Sequence, residues 1–315
     1  MKVTKKQIEK ICKRMNVDLV RFFFLARGDH NDNYVIETKE NKFVLRIVNN
    51  PMFKNLLKKE YKILKSLKSD LGPKVYLFDS SHRIIPHDYL VEEFLSGKNP
   101  KRKANENFVI LMARWFKKLH STKTSGVPSC TEEGYYSLLC AIKPYFNNFK
   151  NYKNTIKNKL CKKLESLFGR ALDLCKRNDK LFYRRKRFCI LHRDPSKDNI
   201  LIDNKKIKLI DWEFASYGVP QWDLVCFLQS YKFEKHHKKL FLDTYGYPNT
   251  KIARKKLDMI ALLNICGGVG YSVWRLDLVN KGKIKKQERK KIMTRLKKDT
   301  RLFEEILQSL SLIHI

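Results

Sequence analysis

Two adjoining stretches constrain this chain more than anything else in it. The first is Leu191-His192-Arg193-Asp194-Pro195-Ser196-Lys197-Asp198-Asn199-Ile200-Leu201-Ile202, and the second is Ile207-Lys208-Leu209-Ile210-Asp211-Trp212-Glu213. Together they place His-x-Asp-x-x-x-x-Asn in a loop, then two short apolar strands, then an Asp where the second strand ends. Phosphoryl transfer from ATP needs this set of groups: a carboxylate near the acceptor hydroxyl, and a carboxamide plus a second carboxylate for Mg²⁺. Asp194 is expected to position or deprotonate the hydroxyl, and Asn199 and Asp211 to ligate the metal. His192 is expected to hold the loop rather than act as a base. Asp198 lies off the spacing and reads as a surface carboxylate.

The chain has 315 residues, 43% of them hydrophobic, which predicts one large domain or two lobes around a substantial core. No apolar run approaches the roughly 20 residues of a membrane span, and no secretory core follows the basic start. The eight cysteines are scattered without a Cys-x-x-Cys pair, so neither a zinc site nor a disulfide framework is expected. A cytoplasmic protein with reduced thiols is the expectation.

Net charge is +35. Such a field attracts nucleic acid or an anionic membrane. The lysines are nonetheless spread through nearly every predicted helix, and no base-stacking aromatics are interleaved with them. A solvated basic face is the simpler reading. The densest stretches are Lys143 to Arg187, ending in Arg184-Arg185-Lys186-Arg187, and Lys281 to Arg301.

Periodicity predicts an α+β chain. A basic amphipathic helix over 5–15 precedes strands at 19–25, 34–38 and 43–48, with a polar turn at 26–33. Pro51 opens a helix running to about Ser69, and 73–78 and 89–94 read as two more strands. Residues 1–95 are thus expected to form a lobe with a five-stranded antiparallel sheet and one packed helix, carrying the nucleotide phosphates. Leu95 to Pro100 is the expected hinge. Residues 96–315 are expected to form a mainly helical lobe with the catalytic loop and acceptor site. Its helices are predicted at 108–120, at 135–149 interrupted at Pro144, at 156–176, and in a C-terminal block near 221–230, 235–245, 252–280 and 285–311.

Within the first lobe, Gly28 to Asn33 sits where a loop over the phosphates belongs, because little side-chain bulk intervenes there. Any hairpin turn favours the same residue types. Arg46 is the lone cation among apolar residues of the third strand, and Glu60 is the only acidic residue on the following helix before Asp70. They are expected to pair and to steady the α- and β-phosphates. Glu213 is expected to reach metal through water or to face the acceptor. Trp212, Tyr217, Trp222, Tyr231, Tyr271 and Trp274 form an aromatic set, and aromatic faces bind quaternary ammonium groups. Each of them, taken singly, reads better as core. Asp223 reads as a helix cap.

These residues resemble the aminoglycoside phosphotransferase and choline kinase superfamily nearly end to end. Gly28-Asp29-His30-Asn31-Asp32-Asn33-Tyr34-Val35 is similar to its phosphate loop, and Phe43 to Ile47 and Gly72 to Tyr76 to its third and fourth strands. Leu90-Val91-Glu92-Glu93-Phe94-Leu95-Ser96-Gly97 is similar to its hinge, and Trp115 to His120 to a helix ending in Leu-His. The Asp211-Trp212-Glu213 and Trp222-Asp223 pairs are similar to the choline, ethanolamine and thiamine kinase branch, especially the bacterial type. The resemblance implies a protein-kinase-like two-lobed fold and ATP with Mg²⁺, two ions by that pattern. Gly28, Asn31, Arg46, Glu60 and Glu93 would then bind nucleotide, and Glu213, Tyr217, Trp222 and Trp274 the acceptor. Choline or ethanolamine is the expected acceptor, with thiamine, an aminoglycoside or a sugar as alternatives. A kinase-like module that binds nucleic acid or anionic membrane is the alternative of another class. The chain departs from the family at Arg193, where Gly or Asn is usual, and at Pro195, where a small or apolar residue is usual.

Overall fold

A computed structural model describes residues 2–28, 30–50, 54–67, 70–101, 105–124, 126, 129–132, 135–183 and 188–312. Asp29, Pro51, Ser69 and the basic run Arg184 to Arg187 lie outside the described residues. The chain forms two compact units. One comprises residues 1–124, 190–216 and 230–245, the other residues 125–189, 217–229 and 246–315.

The first unit opens with α1 (Lys5–Arg14), started by Thr4 and Gln7 in a reciprocal capping box. Then come β1 (Arg21–Arg27), β2 (Asn31–Glu37), β3 (Lys42–Val48), α2 (Lys54–Ser66), β4 (Val75–Asp79) and β5 (Tyr89–Glu93). The five strands make one antiparallel sheet in the order β1-β2-β3-β5-β4, as the alternation predicts. Its two faces do different work. Tyr34, Ile36, Phe43, Leu45 and Ile47 pack onto Ile8 and Ile11 of α1 in a closed core. Because side chains alternate along a strand, the intervening residues Val35, Val44 and Arg46 take the opposite face.

β2 starts three residues before the predicted Tyr34. Asn31 and Asp32 read as turn residues, yet both are buried. They are buriable because they are partnered: Asp32 accepts two hydrogen bonds from Arg27 and one from Asn49. The unit continues through α3 (Glu106–His120), whose N-cap is Asn105.

The next elements in the chain belong to the second unit. They are β6 (Thr131–Glu132), β7 (Tyr135–Tyr136), α4 (Leu138–Tyr152) and α5 (Asn158–Arg177). Tyr135 and Tyr136 therefore pair in a short strand, and the predicted helix begins only after the Ser137 cap. Pro144 lies inside α4 without ending it. Beyond β8 (Cys189–Leu191), the chain returns to the first unit as β9 (Ile200–Asp203) and β10 (Lys206–Leu209). The chain then runs through β11 (Ser216–Gly218), α6 (Gln221–Ser230), α7 (Lys235–Tyr245), α8 (Lys251–Asn280) and α9 (Glu288–Leu312). In the first unit α7 packs on α3, and in the second α8 packs on α4 and α9.

Against the expectation from sequence, α8 is long and apolar enough to cross a membrane by length and composition, but 61% of its most apolar window is buried inside the protein. Leu262, Leu263, Cys266, Val269 and Val273 are all fully enclosed. A core helix gives the same composition. All eight cysteines are free thiols.

Candidate active site

The β9–β10 hairpin builds the centre of the site. Its two-residue turn, Asn204-Lys205, has φ of 46° and 62°, the left-handed pair of a tight hairpin. The register sets Leu209 opposite Ile200, and Ile210 N–H donates to Asn199 O at 3.0 Å. Asn199 and Asp211 therefore emerge at the same end of the ladder. Asn199 Nδ2 donates to Asp194 Oδ2 at 2.9 Å and to Asp194 O at 3.0 Å. With both its amide hydrogens so used, the carboxamide keeps its oxygen as an acceptor.

His192 is fully buried against Trp212, ring centroids 4.6 Å apart. Its Nδ1 accepts from Asp194 N–H at 3.2 Å, which assigns the proton to Nε2, the donor to Ile210 O at 3.1 Å. The ring thus braces the loop from both sides. Burial pushes the Asp194 carboxyl above the usual carboxylate range, and the charges of Asp211 and Glu213 add to the rise while the Asn199 hydrogen bond opposes it. From outside the loop, Asn99 Nδ2 donates to Lys197 O, Asp198 O and Ile200 O within 3.2 Å.

Arg46 and Glu60 meet as expected. Arg46 Nη1 donates to Glu60 Oε1 at 2.5 Å, and both residues are buried. Arg46 Nη2 reaches Asp211 Oδ1 at 2.6 Å and lies 3.9 Å from Glu213 Oε2. Glu92, unpredicted, completes the cluster 3.8 Å from Arg46 Nη1. Burial pushes Glu92 up to about 7, against the pull of Arg46 and with the charge of Asp211 adding. Lys59, one residue before Glu60, is half-buried, and burial and the Arg193 charge press its pKa down.

The turn between β1 and β2 joins the same cluster. His30 Nδ1 lies 2.8 Å from Glu213 Oε1, and Asn31 Nδ2 donates to Glu213 Oε2 at 3.1 Å. Gly28 N–H closes the turn on Asn31 O at 2.8 Å. Asn31, Arg46, Glu60, His192, Asp194, Asn199, Asp211 and Glu213 are therefore gathered in one unit, with Gly28 at the turn. His30 and Glu92 belong there too, though neither stood out in the sequence.

Glu93 stands apart. The register pairs Val44 with Glu92, putting Glu92 on the Arg46 face and its neighbour on the other. The Glu93 carboxylate instead accepts from Lys74 N–H at 3.2 Å. Tyr217, Trp222 and Trp274 belong to the second unit. Trp222 is buried, its indole N–H donating to Tyr136 Oη at 2.8 Å, and Trp274 is buried beside Tyr271 at 5.5 Å. Those are the contacts of core aromatics. Asp223 is fully buried in the first turn of α6.

Among the described residues, no three His, Cys, Asp or Glu side chains converge as a complete metal cage. Mg²⁺ does not need one, since it is bound by one or two carboxylates with waters and substrate phosphates. The oxygen donors at hand fit that chemistry: the Asn199 carboxamide oxygen and the half-exposed Asp211 carboxylate. The carboxylates around them also outnumber the one guanidinium they share.

The family model described as the phosphotransferase enzyme family matches residues 24–247, more than half of the chain. Choline kinase LicA from Streptococcus pneumoniae superposes with a TM-score of 0.68 at 19% identity, over 96% of this chain and 99% of that one. The streptomycin–ATP–APH(2'')-IIa ternary complex gives 0.60 at 15% identity, over 86% and 92%. At such identities these structures speak for the fold, two-lobed and protein-kinase-like. A LicA homolog of Metamycoplasma hominis is 38% identical over 56 residues, a match that spans 18% of this chain and 22% of that protein. By the extent of the family match, the chain belongs to the phosphotransferase enzyme family.

Proposed function

We propose that this phosphotransferase moves the γ-phosphoryl group of ATP to the hydroxyl of a small amino alcohol, choline or ethanolamine. The observation that carries the reading is the convergence of Asp194, Asn199 and Asp211 at one end of the β9–β10 hairpin, with Arg46 and Glu60 beside them. Donor choice follows from chemistry and likeness. Arg46 supplies the buried positive charge that polyphosphate binding requires. On its sheet face, Phe23, Val35 and Val44 line up across three strands as an apolar row for a base. LicA has been solved with AMP, and APH(2'')-IIa with ATP.

Each residue then has a task. Asp194 accepts the hydrogen bond of the acceptor hydroxyl, and burial keeps its carboxyl a stronger base than a solvated one. Asn199 fixes the rotamer of Asp194 through its amide nitrogen, which leaves its own oxygen as an acceptor. Asp211 and the Asn199 oxygen would hold Mg²⁺, which when bound neutralises charge on the phosphates. Glu60 holds Arg46 in place for the α- and β-phosphates.

The acceptor rests on the local identity to the LicA homolog and the likeness to LicA. A coupled ADP-release assay with choline, ethanolamine, thiamine, a sugar and an aminoglycoside tests it. Turnover with choline or ethanolamine above the others is the expected result. Preference for any other acceptor overturns the amino-alcohol reading while leaving the phosphotransferase.

A further inference from the structure

His30 is 4% exposed and lies in the turn between β1 and β2, where the loop over the phosphates was expected. Its ring nitrogen Nδ1 is 2.8 Å from Glu213 Oε1, across 183 positions of sequence. A carboxylate only accepts, so Nδ1 carries the hydrogen and donates. The second oxygen of Glu213 takes Asn31 Nδ2 at 3.1 Å. The next residue, Phe214, meets the His30 ring edge-on at 5.8 Å. One carboxylate therefore grips two successive residues of the loop, and it sits two residues beyond Asp211. Arg46 Nη2, already on Asp211, lies 3.9 Å from the same carboxylate.

We propose that His30 is a positioning residue of the phosphoryl-transfer site, registering the phosphate loop against the Asp211 segment through Glu213. This rests on the nucleotide reading given above. The loop must hold its backbone amides at fixed distance from phosphates whose charge Asp211 and Arg46 also meet. A loop tied only by the Gly28–Asn31 turn is free to pivot about the ends of β1 and β2. The Glu213 link removes that freedom, so less ordering remains for the nucleotide to impose on binding. Asn31 alone is a weaker tie, because its longer contact leaves Glu213 Oε1 without the loop. Both bonds end on a carboxylate, and the shorter one, from His30, is the stronger of the two.

The test is calorimetric binding of Mg²⁺–ATP to the full chain, with the thermal midpoint recorded for each variant. His30→Ser withdraws the donor, His30→Leu fills the buried space without one, and His30→Asn returns an N–H near the position of Nδ1. Either truncation is expected to weaken Mg²⁺–ATP about tenfold, and His30→Asn to recover most of it. In a Glu213→Ala background the same truncations are expected to cost less than about twofold, because the partner is already gone. Unchanged affinity in the truncations, equal losses in both backgrounds, or no recovery in His30→Asn each overturns the proposal. Should His30→Leu fail to fold, His30→Ser carries the comparison. Should both fail, His30→Asn alone decides, since a role in nucleotide positioning requires it to bind like the wild type. Wild-type protein that binds no Mg²⁺–ATP instead overturns the nucleotide reading, and the proposal with it.

Discussion

Glu60 uses one carboxylate oxygen for two purposes: Oε1 accepts from Arg46 Nη1 at 2.5 Å and from the backbone N–H of Trp212 at 2.9 Å. The helix α2 is thereby tied both to the cation of β3 and to the peptide that follows Asp211. Removing this carboxylate leaves two buried donors, Arg46 Nη1 and the Trp212 N–H, without their shared acceptor. Glu60→Ala is therefore expected to cost about 3–5 kcal/mol in urea unfolding. A loss below about 1 kcal/mol would mean that Arg46 finds full compensation from Asp211 and Glu92.

Gly72 faces the same tryptophan from another side. A Cβ there would lie 3.0 Å from Trp212 Nε1 and 3.1 Å from Cε2. The indole is fully buried and its Nε1 donates to Leu209 O at 2.9 Å, so it has little room to yield. Gly72→Ala is expected to destabilise by about 1–3 kcal/mol through overpacking. Unchanged stability in denaturant titration would show that Trp212 shifts freely.

Arg193 holds a left-handed backbone, φ 71°, between His192 and Asp194. That conformation costs an L side chain about 1–2 kcal/mol relative to glycine. Glycine adopts it without that cost. Arg193→Gly is expected to raise stability by up to about 1 kcal/mol, read from the urea midpoint, once the added freedom of the unfolded chain is subtracted. A clear loss instead would show that the contacts of the Arg193 side chain outweigh the backbone strain.

Glu92 makes stability depend on pH. Its folded carboxyl is pushed up to about 7 from 4.5, chiefly by burial. The folded state then binds the proton more tightly than the unfolded one. Its contribution is complete below about pH 4.5 and is lost as pH rises through 7. Glu92→Gln carries no such charge, so it is expected to gain about 2–3 kcal/mol on wild type at pH 8 and little at pH 4.5. Equal differences at the two pH values would contradict this.

The parts of the site legible in the sequence are those where a residue is out of character with its own element. Arg46 is a lone cation in an apolar strand, Glu60 a lone acid on a basic helix, and Asp194, Asn199 and Asp211 keep a fixed spacing. Glu92 was hidden because Glu92-Glu93 offers two equal candidates, and only the pairing of Val44 with Glu92 decides which one faces Arg46. His30 was hidden because its partner is remote in sequence, and a histidine in a Gly-Asp-Asn-rich turn looks like any other polar turn residue. The start of β2 differs from the sequence expectation for a related reason: Asn31 and Asp32 are turn formers by local preference, and distant partners override it. Trp222 shows the converse. Its place near the catalytic segment in sequence invites an acceptor role, whereas its hydrogen bond to Tyr136 is that of a core tryptophan.

The most direct test of phosphoryl transfer is ³¹P detection of the product formed from Mg²⁺–ATP and choline, by wild type and by Asp194→Asn. A phosphorylated choline is expected from the wild type, with the rate reduced about 10²–10⁴-fold in the variant. Equal rates in the two proteins would contradict the role given to Asp194. A wild type that binds Mg²⁺–ATP yet phosphorylates neither choline nor ethanolamine would contradict the amino-alcohol acceptor.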